Sequence, residues 1–375
     1  MKITLFTGFL GSGKTTALKR LLREIAPSEK VGVIVSDLSE LEVDGELIRN
    51  GDIVSEKNGT LASFTGGPLD GHHRDAFLDT LSQMRRRGLD QVLIETSGSA
   101  DPISIVDVLS TCPDTKKGVV VALVDARALQ HDFATGSALL NENAAESPAT
   151  LLLLRQLKSA GVIALSKIDL VDTSILEKIL RNLARINPGA ALTACAYGKL
   201  DRRVLANRSK TFRRSSTHDG PPLTPDACGI GNTVIRDPRP FHPQRFYELY
   251  RDRLGIGIFR TKGFLWFASR PADVLLWNQA GGAMGLEFLS TWRSAILTDA
   301  RLLPEERQHL EQQLSNAHPI FGDRGCELTV IGTERDREIF CAEMQTCFCA
   351  AAEITMWQNG KTFPDPWPKS LKTLE

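Results

Sequence analysis

The sequence predicts an α/β protein: a mostly parallel sheet covered by helices, followed by a smaller α+β domain. Three observations carry that expectation. Short β-rich apolar runs alternate with helical patterns through the first half of the chain. A segment rich in Arg, Ser, Pro and Gly then breaks the composition. Beyond it, strand-like and helix-like stretches no longer alternate regularly.

The apolar runs are Lys2–Thr7, Val31–Ser36, Gln91–Glu95, Val119–Asp125, Val162–Ser166 and Ala191–Cys195. A strand covered on both faces needs apolar residues at nearly every position, which a parallel sheet imposes. Between the first two runs, Leu18, Leu21, Leu22 and Ile25 are spaced i, i+3, i+4, i+7, one apolar helix face. Phe77, Leu78 and Leu81 begin a second such face. In sheets of this kind ligands bind at the carboxyl ends of the strands. Residues from about 201 to 237 include Arg202, Arg203, Arg208, Lys210, Arg213, Arg214, Pro221 and Pro222, and read as a linker. The expected division is a first domain over 1–205, a flexible linker over 206–233 and a second domain over 234–375. In the second domain, 258–268 and 327–331 read as strands, and 243–254, 304–316 and 335–350 as helices.

A chain of 375 residues is long for one core, which agrees with two domains. Lys plus Arg and Asp plus Glu both number 45, so no net field favours nucleic acid or an anionic membrane, and neither is an expected partner. The seven cysteines, Cys112, Cys195, Cys228, Cys326, Cys341, Cys347 and Cys349, are scattered and odd in number. That argues against a disulfide scaffold and for a reducing compartment. The expectation is a cytoplasmic protein: no stretch approaches the ~20 apolar residues of a membrane span, and no leader pattern precedes Ile3–Phe6.

The segment Gly8-Phe9-Leu10-Gly11-Ser12-Gly13-Lys14-Thr15 matches G-x-x-x-x-G-K-[ST]. Gly8, Gly11, Ser12 and Gly13 let backbone N–H groups turn inward around phosphates, and Thr16 continues the helix start. Lys14 would reach the β- and γ-phosphates, and the Thr15 hydroxyl would ligate Mg²⁺. The first domain is therefore expected to be a P-loop NTPase domain. Glu95 ends an apolar run and suits the acid that organises Mg²⁺ and the attacking water. Gly98 follows in Thr96-Ser97-Gly98 and could present its N–H to a γ-phosphate. Lys167 and Asp169 follow another strand. A Lys-x-Asp there can recognise guanine: the carboxylate accepts from ring N1–H and the exocyclic amine, and the Lys stem packs on the base. The residue before this pair is usually Asn, and here it is Ser166. Asp37, Glu40, Glu42 and Asp44 follow the second strand, either as a loop that senses γ-phosphate and metal or as a solvated acidic turn.

These motifs resemble those of the CobW-like P-loop GTPases, relatives of HypB and UreG. GFLGSGKTT (8–16), SDLSELEVD (36–44), ETSGSADP (95–102) and SKID (166–169) are similar to the family's phosphate loop, acidic segment, E-T-[TS]-G signature and guanine motif. RPFHPQRF (239–246), RTKGFLWFASRP (260–271), WNQAGG (277–282) and GDRGCELTVIG (322–332) are similar to its C-terminal domain. The resemblance implies GTP and Mg²⁺ as ligands, slow GTP hydrolysis catalysed by Lys14, Thr15 and Glu95, and delivery of zinc or cobalt to a client metalloprotein. A partner or a nucleotide-dependent homodimer would accelerate turnover.

One departure bears on the cargo. The family carries C-x-C-C between the acidic segment and E-T-[TS]-G, and this chain has no cysteine before Cys112. Asp70, His72 and His73, with Glu40, offer carboxylate and imidazole suited to Zn²⁺ or Co²⁺. The same residues also read as a polar helix start capped by Asp70. This departure keeps open a GTP-gated interaction switch without metal cargo; the same loop would also serve a small-molecule kinase, against which SKID (166–169) and the match over the second domain count. Cys347 and Cys349, two residues apart, do not share a helix face and read as core thiols. His242 reads as a turn contact.

Overall fold

The computed structural model describes residues 1–25, 29–37, 60–65, 69, 73–112, 117–141, 148–207, 230–254, 257–280 and 283–370. They fall into two compact units, Met1–Ile230 and Gly231–Glu375.

The first unit runs β1 (Lys2–Thr7), α1 (Lys14–Arg23), β2 (Val31–Asp37), β3 (Leu61–Thr65), α2 (Arg74–Arg86), β4 (Gln91–Glu95), α3 (Pro102–Ser110) and β5 (Lys117–Asp125). It continues through α4 (Ala126–Asp132), α5 (Pro148–Ser159), β6 (Val162–Ser166), α6 (Thr173–Ile186), β7 (Ala191–Cys195) and α7 (Arg202–Asn207). Its seven strands lie in the order β3-β2-β4-β1-β5-β6-β7. All six strand pairs are parallel. The six expected apolar runs are strands, and β3 is the one that they missed. Its sequence, Leu-Ala-Ser-Phe-Thr, is mixed because it lies at the sheet edge, where less apolar surface is buried.

Both sheet faces are buried, and β5 shows how alternation does it. Val119, Val121 and Leu123 enter a core with Leu18, Leu21 and Leu22 of α1. Val120 packs with Phe77 and Leu81 of α2 and Ile105 and Leu109 of α3. Ala122 and Val124 pack with Leu153 and Leu157 of α5 and Ile179 and Leu183 of α6. Successive side chains point to opposite faces, so one apolar run supports two helical layers. Ile25 joins the α1 face as expected, although the helix ends at Arg23.

The second unit contains β8 (Ile230–Asp237), α8 (Pro243–Asp252), β9 (Ile258–Leu265), β10 (Asp273–Ala280), β11 (Ala283–Thr291) and α9 (Arg293–Ile296). It closes with α10 (Pro304–Gln313), β12 (Cys326–Thr333), α11 (Glu334–Thr346) and α12 (Ala351–Gln358). The strand order is β11-β10-β9-β12-β8, with β9 antiparallel to β10 and β12, and β10 antiparallel to β11. The two strands expected here become five. Strand β8 carries Asn232, Thr233 and Arg236 and begins inside the stretch read as linker. With α7 ending at Asn207, the rest of that stretch, 208–229, lies outside the described residues.

Aromatic side chains dominate this core: Phe241, Phe246, Phe267, Trp266, Trp277, Phe340 and Trp367 are all buried. Buried Thr261 accepts hydrogen bonds from Tyr250 Oη and Trp277 Nε1, each at 2.7 Å, so both polar handles are satisfied inside. His242 caps α8, its Nδ1 accepting from the Arg245 N–H at 3.4 Å. Cys326, Cys347 and Cys349 are buried among these groups, and burial pushes the Cys347 thiol up to about 11 and Cys349 up to about 12.

Candidate functional site

The loop from Gly8 to Gly13 leaves the carboxyl end of the central strand β1 and enters α1. Gly8 has φ +134°, and a Cβ there would lie 2.1 Å from the Leu123 carbonyl oxygen on β5. Gly11 and Gly13 also have positive φ, 74° and 92°. The turn therefore lies against the neighbouring strand and delivers Lys14 at the first helical position. Lys14 is buried, and its Nζ donates to the carbonyls of Gly8 at 2.7 Å and Phe9 at 3.2 Å. That places the ammonium under the loop itself, in the concave side that a phosphate would occupy. Ser12 is buried in the loop, and Thr16 is exposed on α1.

Glu95 is buried at the end of β4, beside β1. The Thr15 hydroxyl donates to Glu95 Oε1 at 2.6 Å. Two residues 80 apart in sequence thus bring a hydroxyl and a carboxylate to one point. Oxygen donors of this kind fit a hard divalent cation such as Mg²⁺.

The chain after Glu95 is braced on both sides. Thr96 N–H and Thr96 Oγ1 both donate to the Phe6 carbonyl, at 3.0 and 3.2 Å. Gly98 sits against the phosphate loop, where a Cβ would be 2.7 Å from the Leu10 nitrogen and side chain. Gln156 of α5, fully buried, donates from Nε2 to the carbonyls of Gly98 at 3.2 Å and Ala100 at 3.3 Å. Asp101 caps α3 through Ile103 N–H at 3.1 Å and pairs with Arg155 Nη1 at 2.7 Å. Arg155 and Gln156 went unsingled in the sequence. Their signal is a polar pair, Arg-Gln, that interrupts a run of leucines between Leu154 and Leu157.

At the end of β6, Ser166 Oγ donates to the Ser12 carbonyl at 2.7 Å, with the Val124 carbonyl at 3.3 Å. The serine that stands in the usual asparagine place ties the end of β6 to the phosphate loop. Lys167 has φ +53° and its Nζ lies 2.5 Å from Asp125 Oδ2. Asp125 also caps α4 through Arg127 and Ala128 N–H. Asp169 is exposed in the short turn Ile168–Leu170. The loop, Glu95, Gly98 and Lys167–Asp169 thus gather at the carboxyl ends of β1, β4 and β6, on one edge of one parallel sheet.

Of the transition-metal candidates, only His73 is among the described residues. Glu40, Asp70 and His72 lie outside the described residues. His73 precedes α2 without a side-chain cap, its ring 5.5 Å from that of Phe64. Among the described residues no group of three or more His, Cys, Asp and Glu is placed to hold a metal ion.

A glycine loop after a central parallel strand, its lysine and hydroxyl, and an acid on the adjacent strand define a P-loop nucleotide-binding protein. The family profile described as CobW/HypB/UreG, nucleotide-binding domain, matches residues 2–194, and that described as Cobalamin synthesis protein cobW C-terminal domain matches 230–348. The chain belongs to the CobW/HypB/UreG family. It is 27% identical to the zinc-regulated GTPase metalloprotein activator 1 of Dictyostelium discoideum, over 98% of this chain and 84% of that protein. It is 32% identical to the zinc chaperone YjiA of Escherichia coli (strain K12), over 73% of this chain and 84% of that protein. A solved structure of the Zn(II)-bound YjiA GTPase from E. coli covers 93% of this chain and 99% of that one, at 22% identity and a TM-score of 0.37. Among the described residues no helix is long and apolar enough to cross a membrane.

Proposed function

We propose that the first unit binds GTP with Mg²⁺ and hydrolyses it, and that the chain uses this cycle to deliver a metal of the zinc or cobalt class to a client metalloprotein. The observation that carries the nucleotide half is the 2.6 Å contact between Thr15 and Glu95 beside a buried Lys14. In this reading Gly8, Gly11, Ser12, Gly13 and Thr16 cradle the phosphates, and Gly98 meets the γ-phosphate. Lys14 neutralises developing charge, and Thr15 with Glu95 holds the cation, which supplies further neutralisation between the phosphates. Lys167 and Asp169 select guanine. The metal half rests on family membership and on the relatives described as zinc chaperone and zinc-regulated activator. Turnover is slow in the isolated chain, because among the described residues no side chain besides Glu95, which also holds the cation, is placed to orient the attacking water, and a client or a second copy accelerates it. Glu40, Asp70, His72 and His73 are the residues proposed to hold the cargo.

The test is nucleotide binding and hydrolysis with purified protein and Mg²⁺, followed by metal titration with and without GTP. GTP preferred over ATP, with activity lost in Lys14→Ala, supports the nucleotide half. Stoichiometric Zn²⁺ or Co²⁺ binding that weakens when Asp70, His72 and His73 become Ala supports the cargo. Absence of stoichiometric metal in either nucleotide state sinks it and leaves an interaction switch.

A further inference from the structure

Past the carboxyl end of β7 the chain places an aromatic residue, Tyr197, on the strand end adjacent to the one that carries the residues read as the guanine site. Ser166 and Cys195 are register partners on the adjacent strands β6 and β7. Lys167 is one residue past the first strand end and Tyr197 two past the second. Neighbouring strands lie only about 4.8 Å apart, less than the width of a nucleobase. Both residues have left-handed backbone without being glycine, φ +53° and φ +51°. Such conformations concentrate at ligand sites, where the surrounding structure holds them.

The surroundings hold Tyr197 in place. It sits in the short turn Ala196–Gly198. Its carbonyl accepts from Arg20 Nη1 of α1 at 3.4 Å. Gly198, at φ +80°, approaches α1 so closely that a Cβ would lie 2.8 Å from the Thr16 carbonyl oxygen. The turn is thus seated on the helix that follows the phosphate loop. Yet the Tyr197 side chain is 73% exposed, the most exposed large hydrophobic residue in the chain's described part. A ring held out on a braced turn, on the strand end adjacent to the one that carries Lys167, has the form of a stacking platform. Aromatic side chains hold nucleobases through their faces without regard to base identity.

We propose that Tyr197 stacks on the base of the bound nucleotide, supplying affinity while Asp169 supplies selectivity. This rests on the guanine-nucleotide reading above and adds a contact that the Lys-x-Asp motif does not contain. The experiment measures equilibrium binding of GDP, ATP and inorganic triphosphate by displacement of a fluorescent GDP analogue and by calorimetry. Tyr197→Gly keeps the left-handed turn and removes the ring; Tyr197→Phe keeps the ring. The expected result is GDP binding weakened about five- to hundredfold in Tyr197→Gly. Tyr197→Phe stays within about twofold of the parent, and triphosphate, which has no base, binds all three proteins alike. GDP binding unchanged in Tyr197→Gly overturns the proposal, and so does an equal loss for triphosphate. If the parent protein binds GDP and ATP equally, guanine selectivity fails. The stacking proposal then stands only if Tyr197→Gly weakens both nucleotides, and is overturned if it weakens neither. A parent protein that binds no nucleotide overturns both.

Discussion

Replacing Gln156 by leucine takes away the two hydrogen bonds that tie the chain after β4 to α5. Leucine has nearly the same size, so the helix keeps its packing, and what changes is polar. The carbonyls of Gly98 and Ala100 lose a buried donor, at about 1–3 kcal/mol each, or about 2–6 kcal/mol together. One relief opposes this. Gln156 Oε1 is itself buried without a hydrogen-bond partner among the described residues, and its removal recovers about 1–3 kcal/mol. The net expectation for Gln156→Leu is a loss of about 1–3 kcal/mol, or about 3–10 °C in the melting temperature of a unit this size. The functional effect is larger in proportion. Gly98 lies against Leu10 of the phosphate loop, so a loosened Gly98 would misplace the γ-phosphate contact proposed for it, and kcat for GTP is expected to fall about tenfold or more. All five tryptophans, residues 266, 277, 292, 357 and 367, lie in the second unit. Tryptophan fluorescence therefore does not report on the change, and far-UV circular dichroism with a steady-state phosphate-release assay does. Parental stability together with parental kcat would refute the reasoning.

Two further substitutions test the frame. Gly8→Ala forces a Cβ to within 2.1 Å of the Leu123 carbonyl at φ +134°. We expect about 2–5 kcal/mol of destabilisation and loss of nucleotide binding by calorimetry; parental affinity would show that the turn yields. Glu353 accepts two 2.7 Å hydrogen bonds from Arg245, whose guanidinium holds its carboxyl down to about 2 from the ordinary 4.5. A lowered folded value means that the stabilisation is full above about pH 4.5 and fades as pH falls toward 2. For a partly solvated pair it is worth about 1 kcal/mol. Melting temperature against pH should fall less steeply below pH 4.5 in Glu353→Gln, and identical acid limbs would refute the assignment.

The sequence was most legible where one physical demand acts alone. A strand buried on both faces must be apolar at most of its positions, and β1, β4, β5 and β6 are, with polar residues mainly at their ends. The phosphate loop needs glycines at fixed positions, so its spacing survives in any context. Elements under mixed demands were harder to see. Strand β8 reads as linker because Asn232, Thr233 and Arg236 sit in it, and β3 is an edge. Strands β10 and β11 hide because their pattern is set by partners across the sheet, which no local window contains. In the site, Lys14, Thr15 and Glu95 follow from motif chemistry. Gln156 acts on Gly98 from 58 residues away, and the exposure of Tyr197 depends on a turn seated on α1. Long-range support of that kind leaves at most a faint trace, such as a polar pair interrupting a run of leucines.

The Ser166 hydroxyl has one hydrogen to give, and two backbone oxygens stand within its reach, Ser12 at 2.7 Å and Val124 at 3.3 Å. A side-chain amide would bring two hydrogens in a fixed plane and hold both oxygens at once. A hydroxyl must serve one at a time, and it changes allegiance by turning about a single bond, among the quickest motions that a protein makes. The link between the end of β6 and the phosphate loop is therefore a swivel, one hydrogen for which a loop carbonyl and a carbonyl of β5 compete.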